Sequence, residues 1–448
     1  MTANSIPMRR IAQGLEALRG LPAQVFVRPT LMLLAFNVAA QIVSVCASPL
    51  LTRLYSPEQF GVLGAITGIV MVCVPLATGR YELAIPRARS DAEAYALLRV
   101  CAIAIAIGCG LAALLASLLA HAGPARVVQL LVGRWYFVPL GIACVAVYDT
   151  LAMEASRQNQ LKALAFSKLS QVFAGVGSQL ALGLMGWTGI GLLVGFAANQ
   201  VMGVRALFRD LVAKHPARAP FDWKQVRATA SEHRRYPMFA SWTAALEGCA
   251  KWSLQLAFAV LWSPEIGGFI FLTDRLVGRP LMLLSSSLLP VYVANLSRAL
   301  RDDPAQALAS FYVSLRRQAS LAVVWTICIV GLAPWVIGPL FGARWAAAVP
   351  YVQMMTLAIA PIASFHAVAH TLQLTGHQRL DAALVVAKVM VILGVVVGAY
   401  LGGLSALTTL AIFAVAQAGF ALATFLCYRH ALKRLAGAAL PAQRLGPP

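Results

Sequence analysis

Apolar runs of about twenty residues, separated by short polar turns, recur along the whole chain. As a helix, that length crosses ~30 Å of hydrocarbon. In lipid, only helices and closed barrels satisfy every backbone N–H and C=O. The runs are continuous rather than alternating, so they read as helices and not as barrel strands. Composition agrees where it matters: charged residues make up 12% of the chain, against roughly a quarter in a soluble domain. The pattern predicts an all-α polytopic membrane protein.

Twelve spans can be drawn, at about 31–53, 60–80, 95–120, 134–156, 163–185, 187–208, 238–262, 265–293, 314–336, 346–372, 380–401 and 403–428. The longest gap divides them into two sets of six. The predicted organisation is an N-terminal segment (1–30), an N-lobe (31–208), a basic linker (209–237), a C-lobe (238–428) and a tail (429–448). The first run is too long for a signal-peptide core and should remain as the first membrane helix. Ahead of it, Ile11, Leu15 and Leu18 share one helical face, as in a short helix lying on the membrane surface.

Lys and Arg set the expected orientation. Of 36, 29 fall on the side of the termini and the linker, and four on the opposite side: Arg53, Arg126, Arg134 and Arg344. Both termini are therefore expected in the cytoplasm. The same split accounts for the net charge of +20 without nucleic acid, because basic loops face anionic lipid. The eight cysteines lie in or beside apolar runs with no zinc spacing, so neither a disulfide framework nor a metal site is expected. His366 and His370 are one turn apart but lack the Glu of an H-E-x-x-H site. No Lys precedes Ser or Thr, which removes the Walker motif and ATP hydrolysis by this chain. No cofactor is expected.

The two halves echo one another. Leu54-Tyr55-Ser56-Pro57-Glu58-Gln59-Phe60-Gly61 returns 207 residues later as Leu261-Trp262-Ser263-Pro264-Glu265-Ile266-Gly267-Gly268. A second landmark, Leu131-Val132-Gly133-Arg134-Trp135, returns as Leu340-Phe341-Gly342-Ala343-Arg344-Trp345. Ser-Pro-Glu is a helix start: Ser at the N-cap, Pro at the first position and Glu in the first turn. Six spans per half make the repeats parallel, a plan that transporters use with a site between the halves. Arg134 and Arg344, on the side away from the termini, are candidates for an external gate.

Ionisable groups at membrane depth are costly and default to function. At ~1.5 Å per residue, Glu247, Lys251, Asp274, Arg275 and Arg279 fall near mid-membrane on the two adjacent spans 238–262 and 265–293. They could neutralise one another, Glu247 with Lys251 and Asp274 with an Arg across the helix pair. Three cations against two anions leave a positive remainder, and stacked guanidiniums suit phosphate oxygens. All five are candidate substrate-binding residues. Their counterparts 207 residues earlier are Ala40, Ser44, Thr67, Gly68 and Val72, so a charge-reading site must be asymmetric. Arg80, Glu82 and Asp149 lie deeper toward the termini side, as candidates for a cytoplasmic gate or ion coupling. Asn37 and Gln41 on the first span read as helix–helix hydrogen bonds. Asp274–Pro280 is similar to the D-R-x-G-R loop of major facilitator transporters, but it sits inside an apolar run.

Leu51-Thr52-Arg53-Leu54-Tyr55-Ser56-Pro57-Glu58-Gln59-Phe60-Gly61, followed by Tyr81-Glu82-Leu83-Ala84-Ile85, resembles the amino-terminal signature of the polysaccharide-biosynthesis flippases. These form the Wzx-like branch of the multidrug/oligosaccharidyl-lipid/polysaccharide (MOP) exporter superfamily. Leu340–Trp345 and Gly376-His377-Gln378-Arg379 resemble later landmarks of that family. The resemblance covers about residues 31–430 and marks the family better than the substrate. It implies two six-helix lobes in a V, alternating access, and flipping of an undecaprenyl-diphosphate-linked oligosaccharide across the bacterial inner membrane. The product would enter O-antigen, capsule or exopolysaccharide assembly. It also implies proton or sodium coupling, with a polysaccharide polymerase and chain-length proteins as partners. Three alternatives stand beside it: a MATE-like small-molecule exporter, a membrane polymerase or glycosyltransferase, and a non-transporting scaffold for a polymer-assembly complex, which the buried charges argue against. The gaps 121–133 and 337–345 hold no Asp or Glu, which argues against the enzyme.

Overall fold

The computed structural model describes residues 23–214, 222–302 and 304–444. The expected surface helix around Ile11–Leu18 and part of the central linker lie outside the described residues. The first half runs through α1 (Ala23–Leu54), α2 (Pro57–Thr78), α3 (Asp91–Ala122), the short α4 (Ala125–Leu131), α5 (Phe137–Arg157), α6 (Leu161–Leu184) and α7 (Gly191–Lys214). Linker helix α8 (Trp223–Glu232) follows. The second half holds α9 (Ser241–Leu261), α10 (Pro264–Thr273), α11 (Arg279–Asp302), α12 (Pro304–Phe341), α13 (Val349–His366), the single turn α14 (Thr371–Leu374), α15 (Gln378–Leu401) and α16 (Ala406–Arg444). No strand occurs among the described residues.

Ten helical stretches among the described residues are long and apolar enough to cross a membrane. The other two expected spans are helical too, as α6 and α9, but less apolar. Their polar residues have work to do. Gln171 and Gln179 of α6 face α7: Asn199 donates to the Gln171 carbonyl at 2.9 Å, and Gln179 donates to the Leu192 carbonyl at 3.3 Å. The α9 helix carries Glu247 and Lys251. The α6 and α7 amides are satisfied by each other's helices rather than by water, whereas Glu247 and Lys251 of α9 are exposed.

Both Ser-Pro-Glu turns start helices as their chemistry requires. The Ser56 hydroxyl accepts from the Gln59 N–H, and the Gln59 side chain accepts from the Ser56 N–H at 3.0 Å, closing a capping box. Ser263 accepts from the Ile266 N–H at 3.2 Å. With Ile in place of Gln, this second cap lacks the return bond.

The two turns then pack against each other. A methyl group on Gly61 would run into the carbonyl oxygen of Pro264, and one on Gly268 into that of Pro57. Such reciprocity is the signature of a two-fold contact, here between two halves of one chain. Gly64 faces Phe271, and Gly68 faces Trp252 and Leu256, so one small-residue stripe of α2 lies along α10 and α9. Small residues let helix backbones approach closely where lipid supplies no hydrophobic drive.

Beside this contact lies an aromatic core. Trp345 is fully buried and donates its indole N–H to the Thr52 carbonyl at the end of α1, 3.0 Å away. Its ring meets Phe60 edge-on at 5.2 Å and Phe269 at 6.0 Å. Across the same end, Arg126 of α4 donates to the Leu261 carbonyl and stacks on Tyr400. The halves are therefore locked together at the repeat-turn end.

At the other, basic end, Arg157 bridges Asp91 at 2.8 Å and Glu154 at 2.7 Å, tying α3 to α5. The linker also docks here. The Tyr81 hydroxyl donates to the Ala230 carbonyl of α8 at 3.4 Å, and burial raises the Tyr81 pKa, so the phenol stays a neutral donor.

Candidate functional site between the halves

The α10–α11 helix is interrupted by one π turn, Asp274–Gly278. Pro280 accounts for it. A proline inside a helix has no N–H and clashes with the carbonyl four residues back. Widening the turn moves the Arg279 N–H onto the Asp274 carbonyl. The Arg275 carbonyl then loses both helical donors: Arg279 is engaged elsewhere, and Pro280 has no hydrogen to give. Gln41 of α1 fills the vacancy, donating to that carbonyl at 3.3 Å. Gln41 thus makes the helix–helix bond expected of it. The D-R-x-G-R-like segment is helical and inside the bundle, not a loop.

The π turn also divides the two arginines. Arg275 is only 6% exposed. It reaches α1, where Nε donates to the Ser44 hydroxyl at 3.1 Å and Nη2 to the Ser44 carbonyl at 3.2 Å. Arg279 turns to Asp274, five residues back on its own helix, at 3.0 Å, and lies over the Phe271 ring at 5.5 Å. Gly278 makes room for this pair, since a methyl there would stand 2.8 Å from Asp274 Oδ1. Asp274 is therefore neutralised within its helix and not across the helix pair.

Glu247 and Lys251 also behave differently from simple neutralisation. No ion pair joins them among the described residues. Lys251 instead sits over the Trp252 ring at 5.3 Å. Glu247 is exposed and lines two cavities. Arg275 has no carboxylate partner among the described residues either, and its guanidinium is held by neutral groups alone.

Arg275 and Arg279 share a cavity of about 200 Å³ between the halves. The first half contributes Ser44, Thr67, Gln179 and Asn199 to its wall, and α9 contributes Trp252. Thr67 and Ser44 are the first-half counterparts of Asp274 and Lys251, so hydroxyls stand where the second half has charges. The Thr67 hydroxyl is buried and makes no hydrogen bond within the protein, so it can meet a polar ligand atom.

A second cavity, of about 430 Å³, lies within the second half among α9, α13, α15 and α16. His366, His370, Lys388, Asp381 and Glu247 line it. His370 bonds Gln373 at 2.8 Å, which donates to Asp381 at 2.9 Å. No group of three or more His, Cys, Asp or Glu among the described residues could hold a metal.

At the basic end, Arg80 stands in the left-handed region at φ 57° and pairs with Glu82 at 3.3 Å. Glu82 is 2% exposed, and its second carboxylate oxygen is unpartnered. Asp149, on the neighbouring α5, lies in the field of Lys168, Glu82 and Arg80. At the repeat-turn end, Arg344 is exposed and Arg134 half-exposed. Beside the glycine–proline contacts, the side chains that reach across the halves there include Trp345, next to Arg344, and Arg126. In sequence, neither a Trp nor an Arg near the end of an apolar span differs from a lipid anchor, so the cross-half roles of these two are not legible there.

A family model described as polysaccharide biosynthesis protein matches residues 50–350. No curated protein matches the chain. Among solved structures, the fold is similar to the lipid II flippase MurJ in an inward closed conformation, at 11% identity and TM-score 0.69, over 92% of this chain and 91% of that one. It is also similar to a multidrug resistance MATE family transporter of the MOP superfamily in an inward-facing conformation, at 13% identity and TM-score 0.61, over 90% and 98% of the two chains. A third is a MOP superfamily transporter from Pyrococcus furiosus Vc1 (DSM3638), described as having a binding pocket of reverse polarity, at 13% identity and TM-score 0.56, over 91% and 95%. At such identities the likeness is one of fold.

Proposed function

The chain belongs to the polysaccharide biosynthesis protein family, and from that premise we propose that it flips an undecaprenyl-diphosphate-linked oligosaccharide across the bacterial inner membrane by alternating access. The observation that carries this reading is Arg275: a buried guanidinium without a carboxylate partner, on a cavity between the halves. An uncompensated charge at membrane depth costs several kcal/mol and has a purpose when an anion visits it. A diphosphate fits, because guanidinium binds phosphate oxygens bidentately. The opposite wall supports the glycan. Ser44, Thr67, Gln179 and Asn199 offer the hydroxyls and amides that sugars hydrogen-bond, while the polyprenyl tail stays in lipid.

Both termini lie in the cytoplasm in this reading, which puts the locked repeat-turn end outside. The Gly61–Pro264 and Gly268–Pro57 contacts and the Trp345–Thr52 bond form the closed external gate. Arg134 and Arg344 line its outer rim. Arg80, Glu82 and Asp149 form the cytoplasmic gate and the coupling carboxylate, driven by a proton or sodium gradient. Glu247 and Lys251 complete the substrate path with Asp274, Arg275 and Arg279. The product passes to a polysaccharide polymerase and chain-length proteins for O-antigen, capsule or exopolysaccharide assembly.

The test is reconstitution of the full chain in vesicles. Lipid-linked oligosaccharide is offered on one leaflet, and a small fluorescent cation is offered separately. Headgroup translocation without cation movement is expected. Cation export with no movement of the lipid-linked sugar would overturn the reading in favour of a small-molecule exporter.

A further inference from the structure

A third cavity, of about 600 Å³, opens at the basic end of the bundle. It shares no lining residue with the one that holds Arg275. The first half contributes Arg80 and Arg87 from the 3₁₀ turn region after α2. The π turn that opens α9 contributes Tyr236 and Phe239, with Arg235 just ahead of it, and α9 contributes Glu247 about two turns further on. We propose that this mouth is a second phosphate site, which takes the diphosphate of the lipid carrier from the cytoplasmic leaflet before it reaches the cavity between the halves. The proposal rests on the flippase reading and deepens it.

Three features point to a phosphate ligand. Arg87 is held across the halves by the Tyr236 hydroxyl, its Nη1 donating at 3.1 Å, so one edge of the guanidinium is anchored and the other is presented. Neither Arg87 nor Arg235 has a carboxylate partner among the described residues. Arg80, although paired through Nη1 with Glu82, keeps a buried Nε with no acceptor. Three guanidiniums around one cavity provide more donors than a single phosphate can accept. Two linked phosphates spread their oxygens over two tetrahedra and can meet all three. The volume is within the ~300–1,000 Å³ of ordinary ligand sites, enough for a diphosphate and its first sugar.

The setting explains how the ligand would leave. Glu247 lines both this mouth and the second-half cavity. A carboxylate in the wall opposes a second anion and keeps the site from trapping its occupant. Because Arg87 and Tyr236 belong to opposite halves, a phosphate that competes for Arg87 weakens their bond, and capture is coupled to parting of the halves at this end.

The experiment uses the full chain in nanodiscs, with a benzophenone amino acid in place of Phe239, which lines the mouth and is 67% exposed. Radiolabelled undecaprenyl diphosphate is the probe, with inorganic pyrophosphate and phosphatidylglycerol as competitors. Cross-linking is expected, with pyrophosphate suppressing it and phosphatidylglycerol leaving it unchanged. Arg87→Gln with Arg235→Gln should reduce it at least tenfold at an unchanged melting temperature, and Arg87→Lys with Arg235→Lys should restore part of it. Undiminished cross-linking in the Gln pair overturns the proposal. So does suppression by phosphatidylglycerol equal to that by pyrophosphate, which would mark an ordinary lipid surface. Translocation is read separately: intact mouth cross-linking with no lipid-linked sugar moved in vesicles removes the flippase reading and leaves the phosphate site standing.

Discussion

Gly61 packs against the carbonyl oxygen of Pro264, and its repeat mate Gly268 packs against that of Pro57. A turn duplicated 207 residues apart therefore meets its own copy. Each copy uses its last residue to accommodate the other's proline. Duplication and docking are one feature, because a two-fold contact requires the same surface twice.

Gly61→Ala and Gly268→Ala should act alike for that reason. Each places a methyl on a backbone oxygen, and overpacking of this kind costs ~1–3 kcal/mol. Thermal unfolding in detergent should show similar losses for the two variants, and the double variant should lose less than their sum, since one parting of the halves relieves both clashes. Full additivity would mean that the two contacts are independent.

Trp345 separates a hydrogen bond from a packing role. Trp345→Phe removes the N–H that reaches the Thr52 carbonyl and keeps a ring against Phe60 and Phe269. Loss of a single bond to a partner left unsatisfied costs ~1–3 kcal/mol. Trp345→Ala empties a fully buried site and should cost ~3–5 kcal/mol. Both should also loosen the repeat-turn end, read as faster labelling of a cysteine introduced at Thr52.

Arg157 should matter for stability at the opposite end. Arg157→Gln leaves Glu154, which is 4% exposed, with only Gln158. Stranding a buried carboxylate costs ~3–5 kcal/mol. Asp91→Asn removes the exposed partner instead and should cost under ~1 kcal/mol. Chemical denaturation of the two variants distinguishes them; equal losses would contradict this assignment.

Sidedness is tested by an impermeant thiol reagent on cells, with the exposed Cys46 and Cys328 replaced by Ser. Ala343→Cys should label from outside and Asp222→Cys only after permeabilisation; both positions are exposed. The reverse pattern would invert the orientation.

How much of this was legible in the sequence depends on the range of the interaction. The helices, the helix starts at Ser56 and Ser263, and the repeat are local or periodic; the helix starts and the repeat turns stand in the structure as expected, and ten of the twelve expected spans are long and apolar enough to cross a membrane. Pairings that depend on three-dimensional neighbours are different. Asp274-Arg275-Leu276-Val277-Gly278-Arg279 reads as ordinary α-helix, in which Arg275 and Arg279 would stack on one face. The π turn forced by Pro280 shifts the register by one residue, giving Arg279 to Asp274 and Arg275 to Ser44. The Glu247–Lys251 spacing allowed a pair that Trp252 pre-empts. The cross-half roles of Arg126 and Trp345 follow only once the halves are docked.

In the proposed mechanism, Arg275 and Arg279 meet the diphosphate of a lipid-linked oligosaccharide inside the bundle. The most direct measurement is headgroup translocation in vesicles by Arg275→Ala and Arg279→Ala beside the wild type. A loss of at least tenfold is expected for Arg275→Ala, and a smaller loss for Arg279→Ala because Asp274 already engages that guanidinium. Translocation at the wild-type rate by both variants would contradict it.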